Sequence, residues 1–332
     1  MATITMKEIS RILGVSTATV SRVLNNSGGY SEGTKKRVLD VLEKYNYQTN
    51  VVAKSLRTRQ SKTVGVVVPD ITNEYFASIA LAVENFFVPY GYSIFIYNTS
   101  ANIEKERLLL RDIVSRGVDG LIYISGNPDV PLEAHKNNIP VVCINRHKQL
   151  NSEISVVESD NFQGGYIATE ELLKQGCKRI LMIRDKRDII PQNERFKGYR
   201  KALADHDIPF EKLLVQEITF DAFHSAKCVN ELISASVSFD GIFASSDILA
   251  IGSLKALREN QIPIPADVKV VGFDNNSFGE HSYPPLTTIN QDKTQLGESA
   301  SRLLLDLMEK EMKDKRMEIV LPVNLVKRDT TF

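Results

Sequence analysis

The chain has 332 residues, 42% of them hydrophobic, with 41 Lys and Arg balancing 41 Asp and Glu. That length and apolar content suit two or three domains with real cores, and no apolar run approaches the ~18 residues of a membrane span. The charge is uneven: residues 1–62 hold eleven Lys/Arg against four Asp/Glu, a net of +7, leaving 30 against 37, a net of −7, for the remainder. A basic head on an acidic body is the footprint of a nucleic-acid-binding module joined to something else.

Cys143, Cys177 and Cys228 are odd in number and far apart, and the five histidines are scattered without metal-pair spacing. With no secretory signal ahead of residue 4, this predicts reduced cysteines, a cytoplasmic protein, no metal and no cofactor. No P-loop, GxSxG or HExxH occurs, and no carboxylate pair has a spacing that specifies acid/base chemistry, so an enzyme is not expected.

From the N-terminus, Met6, Ile9 and Leu13 repeat at helical spacing and stop at Gly14, which can take the backbone of a tight turn. Ser16 offers an N-cap hydroxyl to a second short helix from Thr17. On it Val20 and Leu24 point one way, while Thr17, Ala18, Ser21, Arg22 and Asn25 share the other face. Small, polar and cationic side chains beside a short apolar stripe suit a helix in the DNA major groove, where Arg22 can donate to guanine or phosphate and Ala18 can touch a thymine methyl. A third helix is predicted from a Ser31 cap to about Tyr45, with Val38, Val41 and Leu42 facing Ile9, Val20 and Leu24. Lys35, Lys36 and Arg37 oppose its dipole, which points to a nearby phosphate.

Residues 50–62 are rich in helix formers but too short to be helical alone, as expected of a segment that folds on a partner and DNA. Leu56, among Lys54, Arg57 and Arg59, is a candidate minor-groove wedge. From Thr63 the pattern changes to strands and helices in alternation: strands at 64–68, 92–97, 121–124, 141–144, 154–157, 180–183, 214–218, 241–244 and 268–273, helices at 74–88, 103–116, 164–174, 195–204, 225–233 and 248–258. A last helix, 296–312, and one short strand around 320–326 follow. This is the pattern of doubly wound parallel sheets, and some ten strands imply two α/β subdomains with a ligand held where their strand C-termini face each other.

The segments TMKEISRILGVSTATVSRVLNN, NVVAKSLRTRQSKTVGVVVPDITNEYF, RGVDGLI, SDNFQGGYIATEEL, ERFKGYRKAL, SSDILAIGSLKAL, VVGFDN and PPLTTINQD together resemble the lactose-repressor family of bacterial transcription regulators along the whole chain. The resemblance implies a helix-turn-helix headpiece (1–48), a hinge helix and linker (49–62), and a core like that of periplasmic sugar-binding proteins. The core would divide into an N-terminal subdomain (63–160 with 292–320) and a C-terminal one (161–291 with 321–332). It also implies a homodimer on pseudo-palindromic operator DNA, base reading by Thr17, Ala18, Ser21 and Arg22, phosphate contacts by Ser16, Asn25 and Ser31, and Leu56 at the central base step with Lys54 beside it.

For the effector, Tyr75 and Phe76 would line the cleft, and Asp160, Arg195, Phe220 and Asp274 fall where sugar-responsive relatives bind hydroxyls or stack on the ring, with Arg146 and Asp247 as further candidates. The chemistry agrees: a carboxylate accepts from vicinal hydroxyls, a guanidinium donates to two oxygens, and an aromatic face covers the C–H side of a sugar. Arg195 and Asp274 could instead pair with each other across the cleft, and Phe76 and Phe220 could be core aromatics. Ser246 replaces an Asn common in sugar-binding relatives and Ser225 a frequent Gly, and no heptad tail precedes Phe332, so a dimer without a tetramerising helix is expected. The expected function is a repressor of a carbohydrate operon whose DNA affinity is changed by a small sugar; the alternative is co-repression by a purine or a phosphorylated carrier protein.

Overall fold

The computed structural model describes residues 4–24, 26–45, 47, 60–124, 129–145, 154–309 and 316–332. Asn25, Lys54, Leu56, Arg146 and nearly all of the predicted hinge lie outside these residues. The chain divides into two compact units, Met1–Ser61 and Lys62–Phe332.

In the first unit, helix α1 (Met6–Leu13) begins at a reciprocal capping box. Thr5 accepts from the Glu8 backbone N–H, and the Glu8 carboxylate accepts from the Thr5 N–H at 2.7 Å. It ends at Gly14, whose φ of 64° lies in the left-handed region. Helix α2 (Thr17–Leu24) and α3 (Glu32–Lys44) complete the unit, closing on Ile9, Leu13, Val20, Val23, Val38 and Leu42. Val23 is buried and Leu24 only partly so, one position from the predicted stripe, because eight residues make little more than two turns and two neighbouring helices compete for them. Arg37 departs from its expected phosphate role: its Nη2 donates to Leu13 O at 2.8 Å and satisfies the C-terminus of α1.

The second unit holds two six-stranded sheets. Strands β1 (Thr63–Val68), β2 (Ser93–Asn98), β3 (Gly120–Ile124), β4 (Val141–Ile144), β5 (Ser155–Ser159) and β11 (Glu318–Leu321) form one, all parallel, in the order β11-β5-β4-β3-β1-β2. Strands β6 (Ile180–Asp185), β7 (Val215–Ile218), β8 (Gly241–Ala244), β9 (Lys269–Asp274), β10 (Thr287–Asn290) and β12 (Asn324–Val326) form the other, in the order β12-β10-β9-β8-β6-β7, with β12 antiparallel. Burial on both faces explains why the central strands read as unbroken apolar runs. The helices are α4 (Glu74–Phe87), α5 (Ile103–Arg116), α6 (Asp129–Lys136), α7 (Asn161–Lys174), α8 (Ile190–Asp205), α9 (Ala222–Ser234), α10 (Asp247–Glu259), α11 (Ser277–Glu280) and α12 (Lys293–Met308).

The predicted strand at 320–326 is in fact two, β11 and β12, one in each sheet: the chain crosses between the sheets just after Leu321. It also crosses between β5 and α7 and between β10 and α12, since α7 packs on the second sheet and α12 on α4 and the first. Strand β10 was not expected because Thr287 and Thr288 look like loop residues. Tertiary partners make them core: Thr287 Oγ1 donates to Arg328 O and Thr288 Oγ1 to Asp247. In both sheets the strand order reverses beside the first strand of the α/β unit, and loops leaving the strand C-termini there form ligand crevices.

Candidate effector cleft and DNA-contacting helix

Thr17, Ala18 and Arg22 are exposed on one face of α2 and Ser21 is half-buried beside them, as a groove-reading helix requires. Ser16 and Ser31 have jobs inside the fold: each hydroxyl accepts a backbone N–H, from Thr19 at 3.1 Å and from Thr34 at 3.2 Å, capping α2 and α3. Both are exposed at helix N-termini, where anions are favoured, and each hydroxyl also shares a hydrogen bond with Thr19 or Thr34 Oγ1 at 2.9 Å.

In the second unit a cavity of about 750 Å³ opens at the C-terminal ends of strands from both sheets, within the usual span of small-molecule sites. From the first sheet's side it is lined by Asn73 in the loop after β1, by Tyr75 and Phe76 in the first turn of α4, and by Asn145 just beyond β4. From the second it takes Asp185 and Arg187 after β6, Gln192 and Arg195 on α8, Phe220 after β7, and Asp274 ending β9. Tyr75, Phe76, Arg195, Phe220 and Asp274 are thus brought together. Two expected residues are not.

Asp160 caps α7, accepting the Gln163 N–H at 2.9 Å, and does not line the cavity. A helix starting at 161 leaves its first N–H groups orphaned, and the adjacent carboxylate is used for them. Asp247 is wholly buried behind the cavity wall, held by Asn276 and Thr288.

Arg195 is the best-anchored group in the cleft. Nε donates to Asn161 Oδ1 at 2.9 Å, Nη1 to Ser245 O at 2.5 Å, and the guanidinium stacks 3.6 Å above the Phe273 ring. Its ion pair with Asp274, at 3.7 Å, does form, though not across the cleft: Arg195 on α8 and Asp274 ending β9 lie on the second sheet's side and present one charged edge. Burial lowers the Arg195 pKa while the Asp274 charge opposes that fall; burial raises Asp274 against the pull of Arg195. Asp274 is further held by Ser246 Oγ at 3.0 Å and Gln291 Nε2 at 2.7 Å. Ser246 therefore supports the carboxylate from below. Tyr75, driven up to about 12 mainly by burial, remains a phenol at neutral pH and donates to Gln291 Oε1 at 3.4 Å.

Sequence reasoning missed Asn145, Gln192 and Gln291. Asn145 Oδ1 and Gln192 Oε1 are buried at the cavity with no hydrogen-bond partner among the described residues, and an unpaired buried acceptor is where a ligand donor is worth most. The signals were present: Gln192 precedes Arg195 by one helical turn, and Asn145 directly follows a predicted strand. At the cleft edge the two sheets are also bonded directly. The Glu74 carboxylate, starting α4, accepts from Ser277 N–H at 2.8 Å and Ser277 Oγ at 2.7 Å. Among the described residues no group of three metal-ligating side chains converges, and no helix is long and apolar enough to cross a membrane.

A helix-turn-helix unit joined to a two-sheet α/β core with a cleft between the sheets defines a ligand-responsive DNA-binding regulator. Residues 5–50 match the bacterial regulatory proteins of the lacI family, and residues 169–331 the periplasmic binding protein-like domain. The ribose operon repressor of Halalkalibacterium halodurans is 36% identical over 98% of this chain and 97% of its own. A lacI-family transcriptional regulator from Enterococcus faecium, solved with bound ribose, is 30% identical over 81% of this chain and 98% of its own, with a TM-score of 0.73. The lac repressor dimer bound to operator and the anti-inducer ONPF matches in fold, with a TM-score of 0.90 over 99% of both chains at 24% identity. The chain belongs to the lacI family of DNA-binding bacterial transcription regulators, and the family's match falls in its N-terminal unit.

Proposed function

We propose that this regulator is a cytoplasmic, non-enzymatic repressor of a carbohydrate operon, acting as a homodimer whose operator affinity is set by a neutral sugar, a ribose-like pentose first among candidates. The observation that carries the reading is the Arg195–Asp274 edge faced by the Tyr75/Phe76 and Phe220 rings and the unpartnered acceptors of Asn145 and Gln192. It offers charged and amide groups to hydroxyls and apolar faces to a ring. Asp70, Glu106, Asp185 and Asp274 outnumber Lys186, Arg187 and Arg195 around the cavity, which disfavours a phosphorylated ligand. Exposed apolar residues on α4 and β2 (Leu81, Phe95, Ile96) and the exposed Phe223 and Tyr283 support a dimer.

The test is a thermal-shift screen against pentoses, hexoses, their phosphates and purines, followed by titration with and without operator DNA. A ligand at one hundred times its Kd should stabilise the core by ~2.7 kcal/mol. Coupling is reciprocal, so operator should change sugar affinity by the same factor as sugar changes operator affinity; equal sugar affinity in both states sinks the effector reading. A shift from purines alone would point to co-repression. In Arg195→Lys, which keeps the charge but loses the planar fork, affinity for the stabilising sugar is expected to fall by about tenfold to a hundredfold, and wild-type affinity by calorimetry would count against the site.

Closure of the cleft also has an expected signature. Because Glu74 bridges the sheets outside the cavity wall, Glu74→Ala should weaken sugar binding by roughly threefold to tenfold through the closed-state population alone. Scattering profiles of the free protein should become more extended. An unchanged affinity and profile would mean that the bridge does not hold the closed state.

A further inference from the structure

Asp247 lines no part of the cavity and has no exposed surface, yet its surroundings are narrowly determined. Strands β8 and β9 are neighbours, so the residues where β8 passes into α10 stand beside those where β9 ends. Ser246 Oγ donates to the Asp274 carboxylate; the next residue, Asp247, receives the Asn276 backbone N–H at 2.7 Å and lies 2.5 Å from Thr288 Oγ1. One dipeptide therefore holds Asp274 by its side chain and the turn beyond it by its backbone.

That turn needs holding. Asp274 has φ 109° and Asn275 φ 50°, and a non-glycine residue in such a conformation costs about 1–3 kcal/mol unless its neighbours impose it. Gly272 gives a second, independent sign. A Cβ there would lie 2.4 Å from Asp247 Oδ1, so this strand position must be bare for the carboxyl group to reach the backbone.

We propose that Asp247 is a positioning residue of the effector site, acting through Asp274 by pinning the 274–276 turn that aims this carboxylate into the cleft. The inference rests on the reading of the cleft as a sugar site. The charged groups around it are Asp274 on β9, Lys293 at the start of α12, whose Nζ donates to the carbonyls of Asp274 and Asn275, and Arg195 on α8. Burial first, then the charge of Asp274, push Asp247 up to about 8. Asp247 accepts the Thr288 hydroxyl on one oxygen and the Asn276 N–H on the other. An asparagine carboxamide keeps the Asn276 bond through its oxygen and pairs with a rotated Thr288 hydroxyl through its NH2 group; a leucine of similar size does neither.

The experiment compares Asp247→Asn and Asp247→Leu in the full-length protein, titrated with D-ribose or whichever panel sugar stabilises the wild type. A third variant, Leu254→Ala, serves as a buried lesion elsewhere on α10. Asp247→Asn should bind within about threefold of wild type, and Asp247→Leu at least ~30-fold more weakly than Leu254→Ala at the same loss of melting temperature. Equal affinity of the Leu variant and the core control, or an Asn variant as impaired as the Leu variant, overturns the proposal. The Asn276 amide resonance of the ligand-free protein is the second readout: it should keep its hydrogen-bonded shift in Asp247→Asn and lose it in Asp247→Leu. If no sugar binds the wild type, the cleft reading has failed, and this resonance still decides whether Asp247 pins the turn.

Discussion

Gly165→Ala should destabilise the core by about 3 kcal/mol or more, although alanine is normally the better helix former by about 1 kcal/mol. Gly165 on α7 and Gly198 on α8 meet where the two helices touch: a Cβ at 165 would lie 2.1 Å from Arg195 O, and one at 198 would lie 2.1 Å from Phe162 O. Both obstacles are backbone atoms, so no rotamer change relieves them. One helix must move, and α8 is the helix that carries Gln192 and Arg195 into the cleft. The thermal midpoint of the core is therefore expected to fall by roughly 6–12 °C, with sugar affinity lost alongside it. Calorimetry on the purified variant checks both. A melting point within a degree of wild type would mean that the helices do not approach as closely as this geometry requires.

Ile9→Ala should abolish operator binding and leave the sugar site untouched. Ile9 is fully buried at the centre of a core of six side chains, and removing such a residue costs about 2–5 kcal/mol. A unit of this size has only a few kcal/mol of stability in total, so the loss is enough to unfold much of it. The second unit has its own cores. Gel-shift titration is expected to show a loss of well over tenfold, while the core melting transition and its response to sugar stay as in the wild type. Operator binding within threefold of wild type would show that α2 does not depend on this core for its placement.

How much of this was legible in the chain follows from how local each cause is. The helix-turn-helix rests on an apolar period, Gly14 and two hydroxyl caps within forty residues, and the sequence by itself determined it. The parallel sheets were equally readable, because strands buried on both faces must be apolar throughout, as in Val64–Val68. The family resemblance carried by the sequence also pointed to Tyr75, Phe76, Arg195, Phe220 and Asp274, which line one cavity. Tertiary structure alone decided what depends on partners distant in the chain. Thr287 and Thr288 become strand because Arg328 and Asp247 satisfy their hydroxyls, and Asp160 becomes a cap because α7 starts beside it. Asn145 and Gln192 become candidate ligands because the packed sheets leave their oxygens buried and unpaired. Asp247 stands behind the wall and not in it because β8 and β9 are neighbours, a pairing of residues nearly thirty positions apart that no local pattern encodes.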